Sequence, residues 1–228
     1  IPMNGRMIHQ DDRTTDFQPY GKKGQAIYSI SRGDLNIALM NKADESENVT
    51  FAFHEKTSDI DLRENIIHFE NTKTNSAGSL SPDLIFGTDG AFSAVRGALQ
   101  KTNMFNYSQQ YLEHGYKELT IPAKENGEHR LDKNALHIWP RKSFMLIALP
   151  NLDGSFTLTL FLKFKGAESF ETLTNDDEIL HFFKRHFPTA LEQMPELLKD
   201  FHENPSASLV TVRCNPWHYK NVCLMGDA

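Results

Sequence analysis

The chain has 228 residues, 39% of them hydrophobic and 24% charged, which fits one large or two modest globular cores. A net charge of -6 offers no general basic surface for nucleic acid, and no apolar run approaches a membrane span. No secretory signal peptide is visible, and two cysteines, Cys214 and Cys223, are too few for a disulfide scaffold and read as buried free thiols.

Arg6 and Tyr20 open the chain's polar inventory, a guanidinium able to grip a carboxylate and a hydroxyl able to add a donor; a surface arginine is the plain alternative. Lys22-Lys23 reads as a solvated turn. Ser31 is placed to cap a helix with Asp34 at its third position, followed by an apolar stripe of Leu35, Ala38 and Leu39. Val49 to Phe53 and Ile66 to Phe69 predict strands, and Asn71 to Ser81 a polar loop. The run Leu84 to Phe86 enters a Gly87-Thr-Asp89-Gly90 turn and then a helix from Ser93 to Leu99 carrying Arg96. Gly87 and Gly90 let backbone approach a ligand closely, and Asp89 offers a carboxylate there.

Four strands follow: Leu119 to Ile121, Leu136 to Trp139, Phe144 to Leu149 and Phe156 to Phe164, with Asn151-Leu-Asp-Gly154 as a hairpin signal. Asn175 to Phe187 and Thr189 to Asp200 predict helices separated at Pro188, with Pro195 shortening or kinking the second. Ser206 to Arg213 resumes strand character, and Val222 to Met225 runs into Gly226-Asp227, a second strand-to-glycine turn. Strand alternation puts Leu136 with Ile138, Ile147 with Leu149, and Thr159 with Phe161, each pair on one face. Pooled, these six are either ordinary core or an apolar wall above a ligand. His137 then faces the other way, as a structural hydrogen-bonding group. No histidine pair has metal-ligand spacing, so no metal site is expected.

Several segments together carry a family resemblance: Met3-x-x-Arg-Met-Ile-His9, Pro19-Tyr-Gly21, Ser29-Ile-Ser-Arg-x-x-Leu35, Tyr107-Ser-Gln-Gln-Tyr111, Leu136-His-Ile-Trp-Pro-Arg141, the Asp89-Gly90 turn and Gly226-Asp-Ala228. The chain resembles the kynurenine 3-monooxygenase family of flavoprotein aromatic hydroxylases along essentially its whole length. The resemblance implies an α/β (α+β) fold: a partial FAD-binding, Rossmann-like domain with an inserted, mostly antiparallel substrate-binding sheet. Residues 1–100 would belong to the FAD-binding domain, 101–210 to the sheet domain, and 211–228 to a returning strand. The absence of a Gly-x-Gly-x-x-Gly loop creates the expectation of an internal piece of a longer protein, inactive alone.

The resemblance further implies hydroxylation of L-kynurenine to 3-hydroxykynurenine with FAD, NADPH and O2, through a flavin C4a-hydroperoxide, in tryptophan degradation. Arg6 and Tyr20 would hold the substrate carboxylate. Leu136, Ile138, Ile147, Leu149, Thr159 and Phe161 would line the ring pocket. Arg32, Asp89, Gly90, Gly226 and Asp227 would contact FAD, and no side chain would be catalytic because the flavin carries the chemistry. A bacterial member would be cytoplasmic, and a eukaryotic one on the mitochondrial outer membrane through an anchor outside these residues. The rival readings are a hydroxylase of another aromatic acid and a non-catalytic ligand-binding fragment.

Overall fold

A computed structural model describes residues 1–22 and 24–228; Lys23, half of the expected Lys22-Lys23 turn, lies outside the described residues. The chain divides into two compact units, Ile1–Ala43 with Leu112–Leu209 and Asp44–Tyr111 with Val210–Ala228. The division differs from the segments expected above, because the first 43 residues group with the sheet segment. The α/β class with an antiparallel-rich sheet is observed. No described helix is long and apolar enough to cross a membrane.

A seven-stranded sheet, most of it in the first unit, has the strand order Ala207–Asn215, Asn106–Ile121, Phe156–Lys163, Phe144–Pro150, Ala135–Arg141, Gly5–His9 and Thr15–Pro19. The three strands from Ala135 to Lys163 form an antiparallel meander, as the Asn151–Gly154 turn signal requires. Gly5–His9 joins it in parallel, with Leu136 opposite Arg6 and Ile138 opposite Ile8. Burial alternates strictly along Phe156–Lys163, so Phe156, Leu158, Leu160 and Leu162 are buried while Thr157, Thr159 and Phe161 are half-buried.

The buried face meets helices Asp176–His186, Pro188–Leu191 and Leu197–Glu203. Asn175 caps the first through its side chain, which accepts from the Glu178 backbone N–H at 3.0 Å. Acidic residues fill its first turn and basic ones its last, matching the helix dipole, and Ile179, Phe182 and Phe183 form its buried stripe. Pro188 starts the next helix at a position that needs no N–H. The single helix expected from Thr189 to Asp200 is two helices, interrupted around Pro195. Buried Lys117 donates to the Phe201 and Asn204 carbonyls, closing the end of the last helix.

Ser31 does cap the helix Arg32–Asp44, accepting from the Asp34 N–H at 3.3 Å. The Leu35, Ala38 and Leu39 stripe is not buried, however, because no element of this unit covers it. In the second unit, Val49 to Phe53 is not a strand: none of the described residues pairs with it, and the Phe51 and Phe53 rings stack on each other instead. The strand begins two residues later, at Glu55–Asp61, where Ile66–Asn71 supplies a partner. The expected polar loop after Asn71 contains a third strand, Ala77–Leu80. Cys214 and Cys223 are free and half-buried rather than fully buried. Trp139 is buried and Trp217 exposed.

Among the apolar side chains of the first core lies a polar pair. His9 Nε2 and His137 Nδ1 are 2.9 Å apart, and the His137 Nε2 lies 2.8 Å from the Asp132 carbonyl. Burial, with the His137 ring and the Arg141 guanidinium adding to it, pushes His9 down to about 4. Burial also lowers His137, against the opposing pull of its bond to Asp132. Arg141 is itself engaged by Asp11 at 2.8 Å. Since both histidines are more basic unfolded than folded, protons favour the unfolded chain. Their stabilisation is intact above about pH 6.5 and is lost as pH falls toward 4, by up to about 3 kcal/mol for His9. Urea melts at pH 7 and pH 4.5 should show this loss, and His9→Phe should shrink the difference between the two; an unchanged pH slope in the variant would remove His9 as its source.

Candidate functional site

The six wall residues predicted from alternation lie on one face of the sheet in the first unit, and it is not the core face. Ile138, Ile147 and Thr159 are in register across three strands, with Ile8 on one side and Glu118 on the other. Leu149 pairs with Thr157 in the neighbouring row, and Phe161 pairs with both Met145 and Tyr116. Register partners point the same way, so these side chains form one continuous, half-exposed surface. The core alternative therefore applies to the intervening residues Ala135, His137, Trp139, Leu146, Ala148, Leu158 and Leu160, all buried. His137 faces away from the wall, as alternation requires.

Arg6 stands on the same face, opposite Leu136. Its guanidinium carbon lies 5.4 Å from the centre of the Tyr20 ring. Among the described residues it makes no hydrogen bond or ion pair, and the side chain is exposed. The cation is close to an aromatic face at one edge of an aliphatic surface, with its donors free. Gly5 lets the next strand come this close, since a Cβ there would collide with the Gln18 carbonyl and the Phe17 ring.

The wall becomes more polar across the sheet, from Leu136, Ile138, Ile147 and Leu149 through Thr157, Thr159 and Thr120 to Glu118. The four strand steps from Arg6 to Glu118 span roughly 19 Å, too far for both to hold one small charged group. A cavity of about 750 Å³ adjoins the polar end, lined by Leu149, Thr157, Thr159, Glu118 and the first turn of the helix that starts at Arg32. Arg32 is thus brought to the sheet residues Leu149 and Thr159. Glu118 was absent from the sequence reading; its signal was the alternation Tyr116, Glu118, Thr120, which continues the wall pattern onto a fourth strand.

The second unit builds the two strand-to-glycine turns side by side. Strands Ile85–Gly87 and Val222–Leu224 pair in parallel, and the Met225 N–H donates to the Gly87 carbonyl at 2.9 Å. Gly90 and Gly226 both adopt positive φ, 76° and 63°, with open space where a Cβ would point. Gly87 has a different reason from the one expected: a Cβ there would lie 2.8 Å from Val95, so it serves strand–helix packing.

Asp89 accepts from Ser93 Oγ at 2.5 Å and from the Ala94 and Val95 N–H groups at 2.7 and 3.3 Å, capping helix Ala94–Leu99. Asp227 is exposed and has no partner among the described residues. Arg96, noted in the sequence only as a cation, is 3% exposed. Its Nη2 donates to the Ala91 carbonyl at 2.5 Å and its guanidinium sits over the Tyr107 ring, while Nε and Nη1 have no partner among the described residues.

No protein-family model matches the chain. It is 48% identical over its whole length to kynurenine 3-monooxygenase of Flavobacterium johnsoniae, covering 51% of that protein. It is likewise 48% identical over its whole length to kynurenine 3-monooxygenase of Dictyostelium discoideum, covering 49% of it. The chain spans about half the length of the curated relatives it matches. Among solved structures, the tetrameric form of 2-methyl-3-hydroxypyridine-5-carboxylic acid oxygenase superposes on 99% of the chain and 57% of its own length, with a TM-score of 0.70 at 17% identity. Tetracycline destructase Tet(51) superposes with a TM-score of 0.60 at 16% identity, over 99% of this chain and 56% of that one. These structures establish the fold, and over its whole length the chain is similar in sequence to about half the length of kynurenine 3-monooxygenases from bacteria and a eukaryote.

Proposed function

We propose that the chain supplies the ring-binding wall and part of the FAD-binding surface of a monooxygenase that converts L-kynurenine, NADPH and O2 to 3-hydroxykynurenine, NADP+ and water. The observation that carries this reading is the free Arg6 guanidinium, with Tyr20 beside it, on the edge of an aliphatic face that its own core leaves uncovered. A planar guanidinium fits a carboxylate through two parallel bonds, and the Tyr20 hydroxyl adds a donor. The aliphatic rows favour the aromatic ring and displace water from it.

The glycine turns of the second unit fit a bound cofactor. Gly90 and Gly226 leave room where side chains would stand, and Asp227 is an unpaired acceptor for a hydroxyl. FAD reduced by NADPH would supply the oxygen-activating chemistry. Gly90, Gly226 and Asp227 would hold it. Asp89 keeps the turn in shape through the helix it caps, and its remaining acceptor capacity would serve the same cofactor. The names of the relatives support kynurenine as the substrate.

Two sets of variants in the full-length enzyme test the reading. Arg6→Ala should raise the KM for kynurenine most, Arg6→Lys less, and Tyr20→Phe least, the last by roughly 0.5–1.5 kcal/mol. Flavin content should stay constant throughout. Normal kynurenine KM in Arg6→Ala would place the carboxylate elsewhere. Asp227→Ala should weaken FAD retention by on the order of tenfold to a hundredfold, the cost of one charged hydrogen bond. Fluorescence titration showing unchanged flavin affinity would exclude Asp227 from the cofactor site.

A further inference from the structure

The strand carrying Arg6 and the strand carrying Leu136 and Ile138 lie 128 residues apart, measured from His9 to His137, yet must meet in one register for the wall to have a cation at its edge. A slip of two residues would keep every side chain on its face and move Arg6 by roughly 6.6 Å along the wall. Aliphatic packing is non-directional and resists such a slip weakly. The Asn4 N–H donates to the Asn134 carbonyl and the Asn134 side chain to the Pro2 carbonyl at the start of the two strands; a further polar feature specific to this register lies directly behind the wall, on the core face of the same two strands.

There the His137 Nε2–H donates to the Asp132 carbonyl, which leaves Nδ1 to accept from the His9 Nε2–H at 2.9 Å; this order of tautomers is the one the bonds allow. The His9 ring stacks on Trp139 at 4.0 Å, and the Trp139 indole N–H donates to Thr189 Oγ1. Arg141 donates to the His9 carbonyl at 3.2 Å and to the His186 carbonyl at 2.7 Å, tying the strand end to the helix layer. Burying two imidazoles costs desolvation that an aliphatic pair would avoid. What the polar pair adds is direction, the best-attested use of buried polar groups.

We propose that His9 and His137 are positioning residues for the substrate carboxylate: their buried hydrogen bond sets the register of the Arg6 strand against the wall and thereby the place of the guanidinium. This rests on the reading of Arg6 as the carboxylate clamp. The pair touches no ligand and acts only through Arg6.

A double-mutant cycle in the full-length holoenzyme tests it, with kynurenine as the titrated substrate. His137→Leu should raise the KM for kynurenine about tenfold while kcat and flavin content change less than about twofold. In the Arg6→Ala background the same substitution should change KM by less than about twofold, because the clamp it positions is gone. His137→Gln, which retains a donor and an acceptor, should recover most of the loss. His9→Phe, which keeps a ring on Trp139 and removes the hydrogen bond, should reproduce the KM increase and serves if His137→Leu does not fold. A KM increase of equal size in both backgrounds, or none in either single histidine variant, would overturn the proposal and leave the pair as core. If Arg6→Ala itself leaves KM unchanged, the clamp reading fails first and the positioning role with it. Loss on Arg6→Ala with normal KM in both His137→Leu and His9→Phe overturns the positioning role alone.

Discussion

Because a β-strand has a period of two, each strand of the first unit must divide its side chains between two faces, and the amino acids that satisfy one face leave the other free. Helices Asp176–His186, Pro188–Leu191 and Leu197–Glu203 take the face carrying Trp139, Leu146, Leu158 and Leu160. Everything proposed for substrate binding follows from what remains on the opposite face. Leu136, Ile138, Ile147 and Leu149 are aliphatic without being required by the core, and Arg6 is a cation without an ion-pair partner among the described residues. A sheet that only had to be stable would place polar groups there. The same alternation explains why histidines can lie one residue from the wall and never meet a ligand on it.

The second unit solves a different problem with backbone rather than with a surface. Its two parallel strands end at glycines that turn with positive φ, and helix Ala94–Leu99 is too short to hold such a turn by itself. Asp89 caps that helix from the turn, and Arg96 returns from the helix to the Ala91 carbonyl. The carboxylate and the guanidinium thus tie the turn and the helix to each other from both sides. A buried guanidinium with two nitrogens unpartnered among the described residues is expensive, and its stacking on Tyr107 offsets part of that cost.

Local chemistry made much of this legible in the sequence. The alternation that defines the wall, the Asn151–Gly154 turn, the Ser31 cap and both glycine turns are signals carried by a few neighbouring residues, and each appears where it was read. Most of the failures come from dependence on a partner outside the segment itself. Val49, Phe51 and Phe53 have strand periodicity but no strand beside them, whereas polar Glu55–Asp61 is a strand because Ile66–Asn71 pairs with it. Leu35 and Leu39 make a helical stripe with nothing in their unit to cover it. Which face of the wall strands would be core was undecidable from alternation alone; the phenylalanine-rich helices decide it, and they lie downstream. The His9–His137 bond was invisible, since it is defined by register across the sheet, and the alternation through Glu118 could be joined to the wall only through that same register.

The parallel docking of Gly5–His9 also has a kinetic side. The meander from Ala135 to Lys163 closes through short turns, but the Arg6 strand must close a loop of more than a hundred residues before its ladder repays the entropy. Its contacts have high contact order, and an amphipathic sheet edge at Ala135–Arg141 stands open until they form. Synthesis delivers the Arg6 segment before the wall strands and the fold uses it late. During that interval the unpaired edge of Ala135–Arg141, with its aliphatic wall residues, is a template for another chain's strand. Folding yield, and not only native stability, should therefore be sensitive to residues 1–9.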